Sequence, residues 1–172
     1  MAITGDLFKK LGRSAAGPVC IVAAFDSSTD VIVGLTASSF VTLSFDPPMV
    51  MFALQQNADS YSSIVKSTAF AVSILDRTQS HIATRFACKG RQKIDETKFA
   101  HGNTLHCPLI LGALGHVECS TNQVLMSGDH AIVTGVVEHA DIRSGEPLLY
   151  FGARYGTFTD LIAAETCSVH PK

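Results

Sequence analysis

Charge is scarce in this chain. Only 16% of its 172 residues are Asp, Glu, Lys or Arg, against roughly 25% in ordinary soluble domains. With 47% apolar residues, so thin a charged surface implies that part of the exterior is covered by another copy, and a homodimer is the commonest way to do that. The net charge of −2 and pI of about 6.4 give no electrostatic pull towards nucleic acid or an anionic membrane, so neither is expected as a partner. No apolar run approaches the roughly 20 residues of a membrane span. Paired cysteines are missing as well. The five present (Cys20, Cys88, Cys107, Cys119 and Cys167) are scattered, odd in number and without a CxxC spacing. They read as reduced thiols of a cytoplasmic protein rather than a disulfide framework. Lys9, Lys10 and Arg13 ahead of an apolar stretch imitate a secretory leader, but Gly17-Pro18 interrupts it.

Three further absences narrow the chemistry. No internal repeat and no βαβ rhythm occurs, which argues against a doubly wound parallel sheet. GxGxxG, the usual dinucleotide fingerprint, is absent: Gly152 and Gly156 are too far apart, and Gly112 with Gly115 lack a third partner. Although there are seven histidines, none stands in a paired, zinc-like spacing. His101, His106 and Cys107 cluster loosely, and His116 and Cys119 would point to opposite faces of one strand, so no metal site is expected. Cys88 carries no nucleophile signature around it.

What is present reads as strands with short helices. Leu7, Phe8 and Leu11 among basic residues predict an amphipathic helix ended by Gly17-Pro18. Val19–Phe25 and Val31–Leu35 predict a hairpin across the polar turn Asp26–Asp30. Thr36–Ser39 prolongs the second strand and Val41–Phe45 continues extended. Asp46-Pro47-Pro48 makes a corner, and Met49–Leu54, continuously apolar, predicts a strand buried on both faces. Asp59 or Ser60 caps a helix through Lys66; Phe70–Leu75 is a strand, and Thr78 caps a helix carrying Ile82, Ala83 and Phe86. Cys88–Asn103 reads as a long loop, of the kind that is usually functional. A strand ending near Val124, a turn at Gly128-Asp129, a partner over His130–His139 and a last strand at Leu148–Phe151 complete about seven strands, best arranged as an antiparallel barrel with helical decorations.

Within this frame Thr36-Ala37-Ser38-Ser39 is anomalous, because strand interiors favour bulky β-branched and aromatic residues. Small side chains let a flat ligand approach the backbone, and hydroxyls supply hydrogen bonds; an edge strand with solvated hydroxyls is the competing reading. Gln55 to Ser60 combines amides, hydroxyls and a helix start, a setting suited to phosphate or to an ordinary capped helix. Arg85, Lys89, Arg91, Lys93 and Lys98 form a basic segment around Phe86-Ala87-Cys88, balanced in part by Asp95 and Glu96. His130, in Gly128-Asp129-His130, can neutralise or protonate developing charge near neutral pH, or it is simply a turn histidine capped by Asp129.

The order Gly34–Phe40, Asp46-Pro47-Pro48, apolar strand, and much later Gly128-Asp129-His130 resembles the short-chain NAD(P)H:flavin reductase family, over roughly residues 17–158. The resemblance implies a mainly β, antiparallel split barrel of the FMN-binding type with short helices, filling residues 1–172 as a single domain whose core spans about 17–158. It also implies a homodimer with flavin at the subunit boundary, and hydride transfer from C4 of NADH or NADPH to N5 of FMN or FAD. Reduced flavin would then pass to a separate monooxygenase. By the same resemblance, cofactor contacts fall on Thr36, Ala37, Ser38, Ser39, Gln55, Asn57, Ser60, Phe86, Ala87, Lys89 and Lys93. His130 is the catalytic residue on the nicotinamide side, and Tyr155, after the last strand, either closes the pocket, from its own or the other subunit, or fills a dimer contact. Two rivals stay open at this point: a flavoprotein with fixed FMN that reduces a corrinoid of cobalamin synthesis, and a non-catalytic flavin- or haem-binding module on the same barrel.

Overall fold

The computed structural model describes residues 3–90 and 99–160. Helix α1 (Gly5–Arg13) starts where the Thr4 hydroxyl accepts the Leu7 N–H at 3.3 Å. None of its residues is buried, and Leu7, Phe8 and Leu11 are each more than half exposed. After the short β1 (Gly17–Pro18), strand β2 (Cys20–Phe25) runs antiparallel to β3 (Ile32–Ala37). The turn between them is tied by Asp26, whose Oδ1 accepts the Ser28 and Thr29 N–H groups at 3.0 and 3.1 Å. Side-chain bonds from Ser28 and Ser63 lead the contacts that hold its carboxyl well below the usual range.

Strand β4 (Val41–Phe45) and strand β5 (Pro48–Gln55) pair across Asp46-Pro47, whose peptide bond is cis. Helix α2 (Tyr61–Ile64) follows, shorter than the sequence suggests. Then come β6 (Ala69–Ile74) and α3 (Ser80–Ala87). Thr78 does not cap this region. Asp76 does, accepting the Thr78 N–H at 3.0 Å while Gln79 returns its side chain to the Asp76 N–H. Thr78 instead donates its hydroxyl to the same carboxylate at 2.8 Å. The polar stretch read as a loop contains a strand at its far end: β7 (Phe99–His101) pairs with β8 (Pro108–Ile110). Two long strands, β9 (Gly115–Ser127) and β10 (His130–Ile142), form the largest hairpin, and β11 (Leu149–Phe151) with β12 (Arg154–Gly156) closes against β1.

The main sheet has seven strands in the order β3-β2-β6-β9-β10-β5-β4, with every neighbouring pair antiparallel. It is a split barrel. Its two ends meet where Ser39, between β3 and β4, bonds the backbone of Ala53 on β5. The Ser39 hydroxyl accepts the Ala53 N–H at 2.9 Å and donates to the Ala53 carbonyl at 3.2 Å. Inside lies one core built on Cys20, Val22, Phe52, Phe70 and Val133; outside, under α3 and β11, lies a second on Val19, Ile21, Leu75 and Ile110. Alternate residues of β2 serve the two cores, so this strand is buried on both faces, as β6 is over residues 70–73. Met49–Leu54, for which that burial was expected, instead alternates: Val50, Phe52 and Leu54 are buried, whereas Met49, Met51 and Ala53 are half-buried. A continuous apolar run reports the strand, not which side is covered.

Glu118 on β9 is fully buried, yet it has company: its carboxylate accepts N–H groups of Thr104, Leu105 and Cys107 at 3.1, 2.9 and 3.2 Å. Gly102 sits so close that a Cβ there would stand 2.1 Å from the Glu118 carboxyl carbon. This loop is therefore wound around a buried anion.

Candidate functional site

Four side chain–backbone or loop contacts gather the segments singled out in the sequence into one rim. Thr36 donates its hydroxyl to the Ala83 carbonyl of α3 at 2.6 Å. Ser39 grips Ala53, two residues before Gln55. Asp59 accepts the Gly90 N–H at 2.6 Å, joining the loop after β5 to the end of α3. Gln56 donates its side-chain amide to the Gly128 carbonyl at 3.1 Å and its backbone N–H to the Asp129 carbonyl at 3.0 Å. Residues 36–39, 55–60, 86–90 and 128–130 thus border a common region, although they are distant along the chain.

Within that rim the roles divide. Thr36 and Ser39 donate their single hydroxyl protons to protein carbonyls and so lock the frame. Ala37 points into the barrel core and is only 4% exposed. The missing side chain at Gly34 makes room for Phe86, not for a ligand: a Cβ there would lie 2.9 Å from the Phe86 ring and 2.8 Å from the Val22 carbonyl oxygen. The other side of Phe86 meets Phe99 edge-on, at 6.2 Å between centroids. Ser38, by contrast, is exposed at the bend between β3 and β4. Gln55, Asn57, Ala87 and Lys89 are exposed around it, and Ser60 is buried at the head of α2 without making a side-chain cap. Lys93 lies outside the described residues.

His130 opens β10 and pairs across the sheet with Gln55. It follows the two-residue turn Gly128-Asp129, with Gly128 at φ 61° in the first central position, as a tight hairpin of type II′ requires. The His130 Nδ1 lies 2.7 Å from Asp129 Oδ1. A carboxylate only accepts, so Nδ1 carries the proton and Nε2 is the nitrogen offered to a ligand. The same hydrogen bond, and then the imidazole's charge, hold the Asp129 carboxyl below its ordinary value.

Tyr155 lies beside the end of α3, where it meets Thr84 and Cys88. It lies with its ring 5.8 Å from Tyr150 and lines a shallow cleft of about 350 Å³ with Arg77, Thr78, Ser80 and Thr157. Burial pushes its hydroxyl up against the lowering effect of a hydrogen bond with Thr84. Sequence reasoning missed Gln56 and Asp59 as organisers, because their partners are 72 and 31 residues away and nothing local marks them. The histidines weighed for metal have other contacts: His101 stacks on Phe25, and His116 reaches Asp141 at 3.1 Å and the Ile110 carbonyl at 2.8 Å. Among the described residues no three His, Cys, Asp or Glu side chains converge on a metal position.

The donor set suits a phosphorylated aromatic cofactor. Asn57 and Lys89 offer an exposed amide and an exposed cation, the chemistry a phosphate takes, and Ser38 is exposed at its bend. Comparison with known proteins points the same way. The family described as Flavin reductase like domain matches residues 11–159. The reductase subunit HsaB of a flavin-dependent monooxygenase from Rhodococcus jostii is 33% identical over 149 residues, 84% of this chain and 73% of that protein. The FMN reductase (NADH) SmoA of Agrobacterium fabrum is 32% identical over 149 residues, covering 87% of this chain and 83% of that one. Among solved structures, an NADH:FAD oxidoreductase of Streptomyces globisporus, in complex with NAD and FAD fragments, superposes with a TM-score of 0.85. It is 26% identical, over 95% of this chain and 99% of its own.

Proposed function

This chain belongs to the flavin reductase like family, and from that premise we propose that it is an NAD(P)H-dependent flavin oxidoreductase delivering reduced FMN or FAD to a separate monooxygenase. The observation that carries the site assignment is the set of hydrogen bonds that ties residues 36–39, 55–60, 86–90 and 128–130 into one border. The cofactors supply the redox chemistry, a hydride passed between two stacked rings, so the protein's work is to bind and orient. Asn57, Ser60 and Lys89 hold the flavin phosphate, Ser38 floors the ring, and Gln55 and Ala87 border it. His130 offers Nε2 to the nicotinamide. Thr36, Ser39, Ala37 and Phe86 act on this surface by fixing its shape. Tyr155 bounds the cleft beside the end of α3.

A homodimer belongs to the same reading. Phe45 is 90% exposed on the outermost strand β4, with Val41 and Leu43 about half exposed beside it. An edge strand so apolar is normally covered. A cytoplasmic location accords with the thiols of Cys20, Cys88, Cys107 and Cys119, all unpaired. Among the described residues no helix is long and apolar enough to cross a membrane.

The test is a steady-state assay pairing NADH or NADPH with FMN or FAD, with a cobalt(II) corrinoid as an alternative acceptor. Oxidation of the nicotinamide that depends on added flavin is expected. Turnover only with the corrinoid would move the assignment to that acceptor, and no turnover with any pair would reduce the protein to a binding module.

A further inference from the structure

We infer that Gln56 is a positioning residue that fixes where the His130 imidazole stands relative to the 55–60 loop. The inference rests on the functional reading above and adds to it a residue that acts through another. Gln56 holds both carbonyls of the two-residue hairpin turn: its Nε2 donates to Gly128 and its backbone N–H to Asp129. The tip is held as well by Tyr61, whose hydroxyl donates to the Met126 sulfur at 3.3 Å, and by the pairing of His130 with Gln55. Residues 125–129 at the tip of the β9–β10 hairpin are all exposed, with Leu125 and Met126 more than half so. A hairpin tip with so few buried contacts opens easily. The ladder with β5 fixes the His130 backbone opposite Gln55, and the Gln56 side chain adds a bond to the turn carbonyl just before Asp129.

The consequence lies in what each side of the bond carries. The turn's far end is His130, locked to Asp129 at 2.7 Å. The loop's next residues are Asn57 and Ser60. The side chain therefore helps hold the turn that carries Asp129, and with it the carboxylate that orients the imidazole, against the loop bearing the flavin-side donors, and a near-attack arrangement is sensitive to such orientation. An amide donates to a carbonyl. A carboxylate of nearly the same length cannot, and a lysine ammonium can.

Gln56→Glu is therefore expected to raise the KM for NADH about three- to tenfold, the size of one solvent-facing hydrogen bond. Flavin affinity should stay within about twofold, and Gln56→Lys should recover most of the loss. A readout independent of turnover is the NMR spectrum of the His130 ring. Its resonances should move in Gln56→Glu and stay near their wild-type positions in Gln56→Lys. Unchanged ring resonances in Gln56→Glu would overturn the clamp, as would a KM effect that merely tracks lost flavin affinity. Ring shifts in Gln56→Glu together with a wild-type protein that never oxidises NADH would sink the functional reading instead, while leaving the clamp in place.

Discussion

Replacing His130 by alanine is expected to lower NAD(P)H-dependent flavin reduction roughly a hundredfold, within the range that a positioned proton donor or acceptor contributes. Flavin affinity should hardly move. The reason is geometric: His130 lies at the start of β10, opposite Gln55, while the donors assigned to phosphate lie further along the loop at Asn57 and Ser60. With Nδ1 held by Asp129, only Nε2 faces a ligand. Stopped-flow reduction of bound flavin, set beside a flavin titration of the same variant, separates the two effects. A variant that loses flavin binding yet keeps its turnover per bound flavin would show that His130 belongs to the cofactor seat and not to the nicotinamide side.

The largest stability effect should come from Glu118→Ala. The side chain has no solvent exposure and satisfies three backbone N–H groups of the 104–107 loop. Removing it strands those donors in a site that water does not reach. The cost should be about 3–5 kcal/mol, a large share of the roughly 5–15 kcal/mol that holds a typical domain together. Glu118→Gln keeps the shape and one acceptor oxygen and should cost less.

The pH dependence has a definite sign. Burial pushes the Glu118 carboxyl up, but the three N–H bonds and the positive potential of His139 outweigh it and leave the group below its ordinary value. A depressed folded value means that the unfolded chain takes up the proton first. The stabilisation is then complete above about pH 4.3, where a free glutamate is ionised, and fades as the pH falls through the folded value. Urea unfolding of wild type and Glu118→Ala at neutral and acid pH should show the gap between them narrowing in acid. A gap under about 1 kcal/mol at neutral pH would mean the loop is held by something else.

Much of the architecture was legible because strand periodicity is local. The hairpin across Asp26–Asp30, the apolar strand after Asp46-Pro47-Pro48 and the turn at Gly128-Asp129 all lie where composition and turn residues put them. Less visible was which face a strand buries. Cys20–Phe25 and Met49–Leu54 are equally apolar, yet only the first has a core on both sides. Hidden altogether was the use of polar groups. Nothing near Thr36 in the sequence shows that its hydroxyl is given to the Ala83 carbonyl, 47 residues on. Nor does the sequence show that the missing side chain at Gly34 makes room for the Phe86 ring. Small and hydroxyl residues in a strand announce a close approach, and sequence alone does not say whether protein or ligand makes it.

The seat of the flavin is the claim on which these assignments converge, and a crystal structure of the protein with FMN bound tests it most directly. The isoalloxazine should lie over the bend at Ser38, between the 55–60 loop and the end of α3, with its phosphate towards Asn57, Ser60 and Lys89. A ring seated in the Tyr155 cleft, or anywhere that leaves the Ser38 bend bare, would contradict the account.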